Sequence, residues 1–120
     1  MYWQGVEVQH KGVVNVVVAT RALLCASPAD VFLQQISICF DVSMLDIFVP
    51  LATGASIVPA EPGAHRDAPR LLRQICGSGV TIACAVPSEL EMWHAAGKEV
   101  FFHPDWLFSC SCVRFVSALW

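Results

Sequence analysis

The residue in this sequence best placed to do chemistry is Asp41, in the stretch Phe40-Asp41-Val42-Ser43. An apolar segment precedes it, and the segment 44–52 that follows carries a single charge, Asp46. A carboxylate among apolar residues is costly to bury unless it meets a cation or hydrogen-bond donors. Two roles are therefore open for Asp41: it binds a cationic ligand near the interior, or it caps a helix that begins near Met44.

Other residue types that support catalysis or metal binding lack a usable pattern. The histidines share no metal-ligand spacing with cysteines or carboxylates, and the serines lack the Gly-x-Ser-x-Gly elbow of hydrolases. None of the 6 cysteines forms the pair with a two-residue gap that is typical of a zinc knuckle or a thioredoxin-like site, and we expect mostly buried thiols. The sequence predicts neither a metal site nor a catalytic residue.

Composition narrows the class of protein. The chain has 120 residues, of which 56% are hydrophobic and only 14% charged, whereas about 25% charged residues is typical of soluble domains. Such a chain is either a membrane protein or a piece of a larger body whose faces are covered by partners. No apolar run approaches the roughly 20 residues of a membrane span, and no secretory signal is visible, so we expect a cytoplasmic protein without membrane contact. The net charge of −3 and the absence of a Lys/Arg cluster argue against nucleic acid.

The elements that must position Asp41 follow from hydrophobic periodicity. Strands are predicted at Gly5–Gln9, Val31–Gln35, Ala55–Ala60, Val80–Val86 and Val113–Ala118. Helices are predicted at Lys11–Cys25, from Ser43 to about Thr53, from Asp67 to about Cys76, and from Pro87 onwards, while the aromatic-rich segment Gly97–Ser109 is expected to be irregular. Alternating helices and apolar strands predict one α/β domain over residues 1–120, with a layered, mostly parallel sheet.

Three local motifs refine this prediction. Ser43 and Asp46 fit a capping box at the start of the second helix. Gly54 is a plausible stop for that helix, and Asp67 can cap the third. Because ligands of such sheets bind beyond the carboxyl ends of the strands, we expect Asp41, residues 85–88 and residues 117–118 to share one crevice.

The motifs in this order resemble a known family. They are Gly5 to Asn15, then Phe40-Asp41-Val42-Ser43 with Ile47 to Leu51 and Gly54-Ala55, then Val86-Pro87-Ser88, then Arg114 to Ala118. Their order and spacing resemble the adenylation domain of nonribosomal peptide synthetases, which belong to the adenylate-forming enzymes. The resemblance implies that the chain is a partial slice of the larger N-terminal subdomain of such an enzyme, which forms an aminoacyl-AMP from an amino acid and ATP.

The resemblance also implies roles for single residues. Asp41 would pair with the α-ammonium group of the amino acid. Phe40 would lie beside the substrate carboxylate and phosphate, although a plain core aromatic is an equally good interpretation. The side-chain pocket would be lined by the small or aliphatic residues Val42, Leu45, Ala85, Val116 and Ala118. Their character favours an apolar amino acid.

The ATP half of such a site is not recognisable in the sequence. The family carries a Ser/Thr/Gly-rich phosphate loop ending in Pro-Lys before the position of Gly5, where this chain reads Met1-Tyr2-Trp3-Gln4. The segments that bind adenine, ribose and Mg²⁺, and a catalytic Lys, would follow Ala118. We therefore expect this chain to be inactive alone and to depend on the remainder of a synthetase. The alternative is a small non-enzymatic α/β interaction protein that associates, with itself or a partner, through exposed apolar faces.

Overall fold

Helices and short strands alternate through most of the chain. A computed structural model describes residues 5–96, 101–102, 107–110 and 113–117. Its elements in chain order are α1 (His10–Leu23), β1 (Val31–Gln34), α2 (Ser43–Thr53), β2 (Ser56–Pro59), a 3₁₀ turn (Ala64–Arg66), α3 (Ala68–Gly77), β3 (Ile82–Ala85), α4 (Pro87–Ala95), β4 (Phe101–Phe102), β5 (Leu107–Cys110) and β6 (Val113–Ser117).

The described strands form one six-stranded sheet in the order β2-β1-β3-β6-β5-β4. β2, β1, β3 and β6 run parallel, whereas β5 and β4 add on as antiparallel strands. The chain leaves β1 through α2 to reach β2 on one side, and then returns through α3 to β3 on the other side of β1. This reversal next to β1 is where ligands bind in open α/β sheets. The predicted α/β class with a mostly parallel sheet is confirmed.

Alternating strand residues build a core on each face of the sheet. Phe32 and Ile82 are paired across β1 and β3, and they pack with Val17 of α1 and Val49 of α2. The next pair, Leu33 and Ala83, faces the opposite way. It belongs to a larger cluster with side chains of α3 and α4, which are Leu71, Leu72, Ile75, Leu90 and Trp93. Both faces of the parallel strands are thus covered, as parallel sheets require.

Two predicted helix boundaries are confirmed. Gly54 ends α2 with φ of 79°, a left-handed conformation that favours glycine, and its neighbour Ala55 donates its N–H to the carbonyl of Pro50. Asp67 caps α3, because its Oδ1 accepts the N–H of Arg70 at 3.0 Å. α2 continues through Pro50 to Thr53.

Other local predictions are wrong. Residues 5–9 form no strand, and Val6 and Val8 are exposed, because an alternating pattern yields a strand only beside a partner strand. The segment 97–109 is not irregular throughout, since β4 and the start of β5 lie in it. Among the cysteines whose side chains the structure describes, only Cys84 is buried, while Cys25, Cys39 and Cys76 are exposed. In the described part of the chain, no helix has the length and apolar character that crossing a membrane requires.

Candidate functional site

A cleft of about 810 Å³ opens at the carboxyl ends of β1, β2 and β3. It lies beside the point where the chain reverses around β1, so its walls are the three segments that leave these strands. The segment after β1 contributes the largest share. The described lining residues are Gln34, Gln35, Ile36, Ser37, Phe40, Asp41, Val42, Ala60, Glu61, Pro62, Gly63, His65, Ala85, Val86 and Glu89.

Four residues singled out from the sequence line this cleft: Phe40, Asp41, Val42 and Ala85. Asp41 is exposed rather than near the interior, and its Oδ1 accepts the N–H of Val42 at 3.0 Å. Phe40 is 66% exposed, which excludes the interpretation as a core aromatic in this chain. Ala85 is buried at the end of β3. The structure brings these four side chains to one cavity, and their contact with an amino acid stays a prediction.

The other predicted pocket residues lie elsewhere or outside the described side chains. Leu45 is on the buried side of α2 and packs against the cluster that contains Phe32 and Val49, not into the cleft. Val116 lies on β6 opposite Cys84 of β3, and its side chain is outside the described residues. Ala118 is also outside the described residues. The sheet register therefore places the backbone of β6 next to the strand that ends at the cleft.

The described walls of the cleft are acidic. Asp41, Glu61 and Glu89 line it, against one basic side chain, His65, among the described lining residues. Glu61 forms an ion pair with Arg70, 2.6 Å between Oε2 and Nη2, in which both side chains are about half exposed. Glu89 accepts the N–H of Val86 at 3.0 Å and so caps α4. In the described part of the chain, neither Asp41 nor Glu89 has a basic partner, and of these two lining carboxylates only Asp41 is left without a helix to cap.

A polar layer lies beneath the cleft floor. Asp46 is 1% exposed, and its Oδ2 accepts the N–H of Ile36 at 3.4 Å. Burial raises the pKa of Asp46 to about 6, although hydrogen bonds from Cys84 and from the amides of Ile36 and Gln35 oppose the rise. Burial, together with the neighbouring Asp46, also raises the pKa of the Cys84 thiol. Gln35 closes the layer, because its Nε2 donates to the carbonyl of Cys84 at 2.6 Å.

The predicted capping box is wrong. The Ser43 hydroxyl donates to the carbonyl of Phe40 at 2.6 Å instead of accepting a helix amide, and Asp46 points to Ile36 rather than back to Ser43. Asp41 does not cap the helix either, since its carboxylate accepts only the adjacent amide of Val42. α2 begins without a side-chain cap, and turns at residues 40–45 provide its first hydrogen bonds.

Sequence reasoning missed Asp46 as the buried carboxylate, although a signal was present. The buried residues of α2 recur every three or four positions: Ser43, Asp46, Val49, Pro50 and Thr53. Continuing the apolar spacing of Val49 and Pro50 backwards leads to Asp46. The lining residues Glu61 and His65 had no comparable signal, because they come from a loop whose path depends on the sheet.

The resemblance implies that ATP is a substrate, but the described residues of the cleft do not fit its polyphosphate. A triphosphate requires basic side chains or a nest of backbone amides, and the described walls present three carboxylates against His65. A Mg²⁺ ion requires several oxygen ligands, and in the described part of the chain no group of three or more His, Cys, Asp or Glu side chains could hold a metal ion. The arrangement suits a cationic group with an apolar body rather than a nucleotide.

Comparison with known proteins gives matches to AMP-binding enzymes and to peptide synthetases. The profile of the family described as AMP-binding enzyme matches residues 4–115. The hybrid PKS-NRPS synthetase tasS of Hapsidospora irregularis is 33% identical over 109 residues, which are 90% of this chain and 2% of that protein. Tyrocidine synthase 3 of Brevibacillus parabrevis is 32% identical over 89 residues, which are 74% of this chain and 1% of that protein.

The solved structures to which this chain is similar include nonribosomal peptide synthetases. The nonribosomal peptide synthetase FmoA3 superposes with a TM-score of 0.69 at 33% identity, covering 73% of this chain and 10% of that one. Holo-AB3403, a four-domain nonribosomal peptide synthetase bound to AMP and glycine, gives a TM-score of 0.71 at 21% identity, covering 78% of this chain and 7% of that one. At that identity the second likeness concerns the fold alone. This chain spans a small part of each of these relatives.

Proposed function

The chain belongs to the AMP-binding enzyme family, and from this premise we propose that its cleft is the amino-acid-binding part of an adenylation unit in a nonribosomal peptide synthetase. The observation that carries the proposal is the position of Asp41. Its carboxylate lines a cleft at the carboxyl ends of parallel strands and has no basic partner in the described part of the chain. In this proposal residues 1–120 are one partial segment of such a unit.

The proposed ligand of Asp41 is the α-ammonium group of the amino acid. An ammonium group offers three donors, and a charge-assisted hydrogen bond to a carboxylate is about twice as strong as a neutral one. The N–H of Val42 already occupies Oδ1 and fixes the carboxylate, while the exposure of Asp41 leaves room for a ligand. The remaining lining carboxylates are less suited, since Glu61 is paired with Arg70 and Glu89 caps α4.

The proposed substrate class is an apolar amino acid. Val42 and Ala85 give the cleft an apolar wall next to Asp41. The resemblance to the family adds Val116 and Ala118 to this pocket; the backbone of Val116 lies on β6, the neighbour of β3, and Ala118 lies outside the described residues. Leu45 would act indirectly, through its packing beneath α2. Phe40, which also lines the cleft, would lie beside the substrate carboxylate and phosphate.

The ATP half of the reaction would come from outside the described cleft. Because the described walls are acidic and lack a metal-ligand group, we expect no amino-acid-dependent ATP–pyrophosphate exchange from this chain alone. Transfer of the adenylyl group would require the remainder of a synthetase, with its own ATP and Mg²⁺ contacts. The location that this function implies is the cytoplasm.

The test of this proposal is calorimetric titration of the full chain with L-leucine and with its des-amino analogue, 4-methylpentanoate. We expect L-leucine to bind more tightly, and Asp41→Asn to weaken its binding by roughly 10- to 100-fold, which corresponds to one hydrogen bond between charged groups. Glu61→Gln is the matched control, because it removes a lining carboxylate that is already paired. Equal binding of both compounds, or equal loss in the two variants, contradicts the proposal.

A second candidate is a non-enzymatic interaction protein, and the helices on one face of the sheet favour it. α1 buries only Val17, whereas Val14 and Val18 are exposed, and Phe48 and Leu51 of α2 are exposed as well. In this case the chain associates with itself through these helices. Light scattering after size-exclusion chromatography separates the two candidates, since a monomer over a wide concentration range contradicts self-association and leaves the binding proposal standing.

A further inference from the structure

The feature that the proposed function does not use is the buried carboxyl group of Asp46. Its Oδ2 accepts one long hydrogen bond, 3.4 Å from the N–H of Ile36. Its Oδ1 has no hydrogen-bond partner of good geometry among the described residues. An ionised carboxylate that is 1% exposed is costly even beside the Cys84 thiol and the amides of Ile36 and Gln35, because water would solvate it far better than this site does.

Asp46 lies under the segment that carries Phe40 and Asp41. This segment, residues 36–41, forms one wall of the cleft and is named the cleft turn here. Inside it, the N–H of Phe40 donates to the carbonyl of Ser37 at 2.9 Å. Its first residue, Ile36, is held by Asp46, and the preceding residue, Gln35, is held by the carbonyl of Cys84. The cleft turn is therefore anchored to α2 and to β3 at its beginning.

The groups that act on Asp46 come from two elements. Cys84 of β3 bonds to it, and the negative charge of Glu89, at the start of α4, opposes its ionisation. α2 and β1 carry no other titratable residue. α1 packs on α2, and its titratable residues His10, Lys11 and Arg21 are all exposed. No described basic side chain forms an ion pair with Asp46.

The environment of Asp46 determines whether its protonation favours the closed or the open form of the cleft turn. Burial raises the pKa of Asp46 from the ordinary 3.8 to about 6. Opening of the cleft turn admits water to the carboxyl group and returns its pKa towards the ordinary value. A proton therefore favours the closed turn, and this stabilisation is complete below 3.8 and is lost as the pH rises through 6.

We propose that Asp46 is a proton-sensitive positioning residue of the cleft turn: its neutral form keeps residues 36–41 closed over the ends of β1 and β3, and its ionisation lets them open more often. The exposed Phe40 and Asp41 are thus held on a segment whose order depends on a group below the cleft floor. The inference does not depend on which ligand the cleft binds, because it concerns the segment itself.

The test is amide hydrogen exchange of the full chain, read as protection factors so that the intrinsic pH dependence of exchange is removed. The amide of Ile36 reports the anchor directly, and the amide of Leu71, bonded to Asp67 in α3, is the control for global unfolding. Between about pH 5 and about pH 7.5, the protection of Ile36 should fall by up to tenfold, as two pKa values near 4 and 6 require. The protection of Leu71 should change much less.

Two variants distinguish an effect of the charge of Asp46 from a purely structural role of its side chain. Asp46→Asn keeps the shape and stays neutral, so Ile36 should be at least as protected at about pH 7.5 as in the parent at about pH 5, without pH dependence. Glu89→Gln keeps the acceptor for Val86 and removes a charge, so the midpoint of the Ile36 profile should move to lower pH. The proposal is overturned by an Ile36 profile that is flat in the parent, that persists in Asp46→Asn, or that Leu71 follows in parallel. Should Asp46→Asn fail to fold, an unmoved midpoint in Glu89→Gln overturns it alone.

Discussion

Thr81 joins the amino ends of the neighbouring strands β1 and β3, and the cleft lies at the opposite, carboxyl ends of these strands. Its hydroxyl donates to Asp30 Oδ1 at 2.8 Å and accepts the N–H of Val31 at 3.0 Å. Asp30 is itself buried and accepts the N–H and the hydroxyl of Ser27 through Oδ2, at 2.8 and 3.1 Å. One hydroxyl thus bonds to a buried carboxylate and to the backbone amide of a half-buried residue.

Thr81→Val should therefore destabilise the chain strongly for an isosteric change. The substitution removes a hydrogen bond to a charged group, worth about 1.5–3 kcal/mol, and leaves the N–H of Val31 without its acceptor, which adds about 1 kcal/mol. We expect a loss of about 3 kcal/mol in the free energy of unfolding. In urea titrations with an m-value of about 1.5 kcal/mol/M, the midpoint should fall by about 2 M at unchanged slope.

Thr81→Ser is the matched control, because it keeps the hydroxyl and removes one methyl group. A lost methyl group of a half-buried side chain costs about 0.5–1 kcal/mol. Two results refute the reasoning: equal midpoints for the Val and Ser variants, or a Val variant within about 0.5 kcal/mol of the parent. Either would mean that water replaces the hydroxyl at both Asp30 and Val31.

Two further substitutions test the core and the third helix by the same urea titrations. Leu71→Ala, at a fully buried position between α3 and the sheet, should lower the free energy of unfolding by about 3 kcal/mol. Leu51→Ala, at a side chain that is 63% exposed, should lower it by less than about 0.5 kcal/mol. Similar losses in both variants would contradict the described core. Asp67→Ala should cost about 1 kcal/mol because the N–H of Arg70 loses its acceptor, and Asp67→Asn should restore most of that stability; a neutral Ala variant would show that the cap contributes nothing.

The helices and strands of the first half of the fold could be predicted because their patterns are local. The helix start at Asp67 and the helix stop at Gly54 depend on the chemistry of single residues, and the structure keeps both. The alternation of β1, α2, β2, α3 and β3 follows from periodicity in the same way. Periodicity does not identify the neighbour of each strand. The strand predicted at Gly5–Gln9 is absent because this alternating segment has no partner strand in the described sheet.

The two carboxylates near the start of α2 show where sequence reasoning about the site reached its limit. The sequence predicts Asp41 near the interior and Asp46 in a capping box, whereas in the structure Asp41 is exposed and Asp46 is buried. The difference is the rotation of α2 about its axis, which is set by packing against β1 and α1 rather than by residues 40–46 themselves. Once that rotation is fixed, Ser43 and Asp46 share the buried stripe with Val49, and Asp41 is left on the cleft.

The strand order has a consequence for how the chain folds during synthesis. β1 leaves the ribosome before both of its neighbours in the described sheet, β2 and β3, and the side chain of Thr81 that bonds to Val31 is 50 residues away. A parallel strand cannot pair with the residues that immediately follow it, so β1 must stay unpaired until α2 and β2 have emerged. Its apolar residues Phe32 and Leu33 are exposed for that interval. A slow stretch of translation just after β3 would let the β2-β1-β3 unit form before the antiparallel strands arrive, and would shorten the time in which this nascent chain can aggregate.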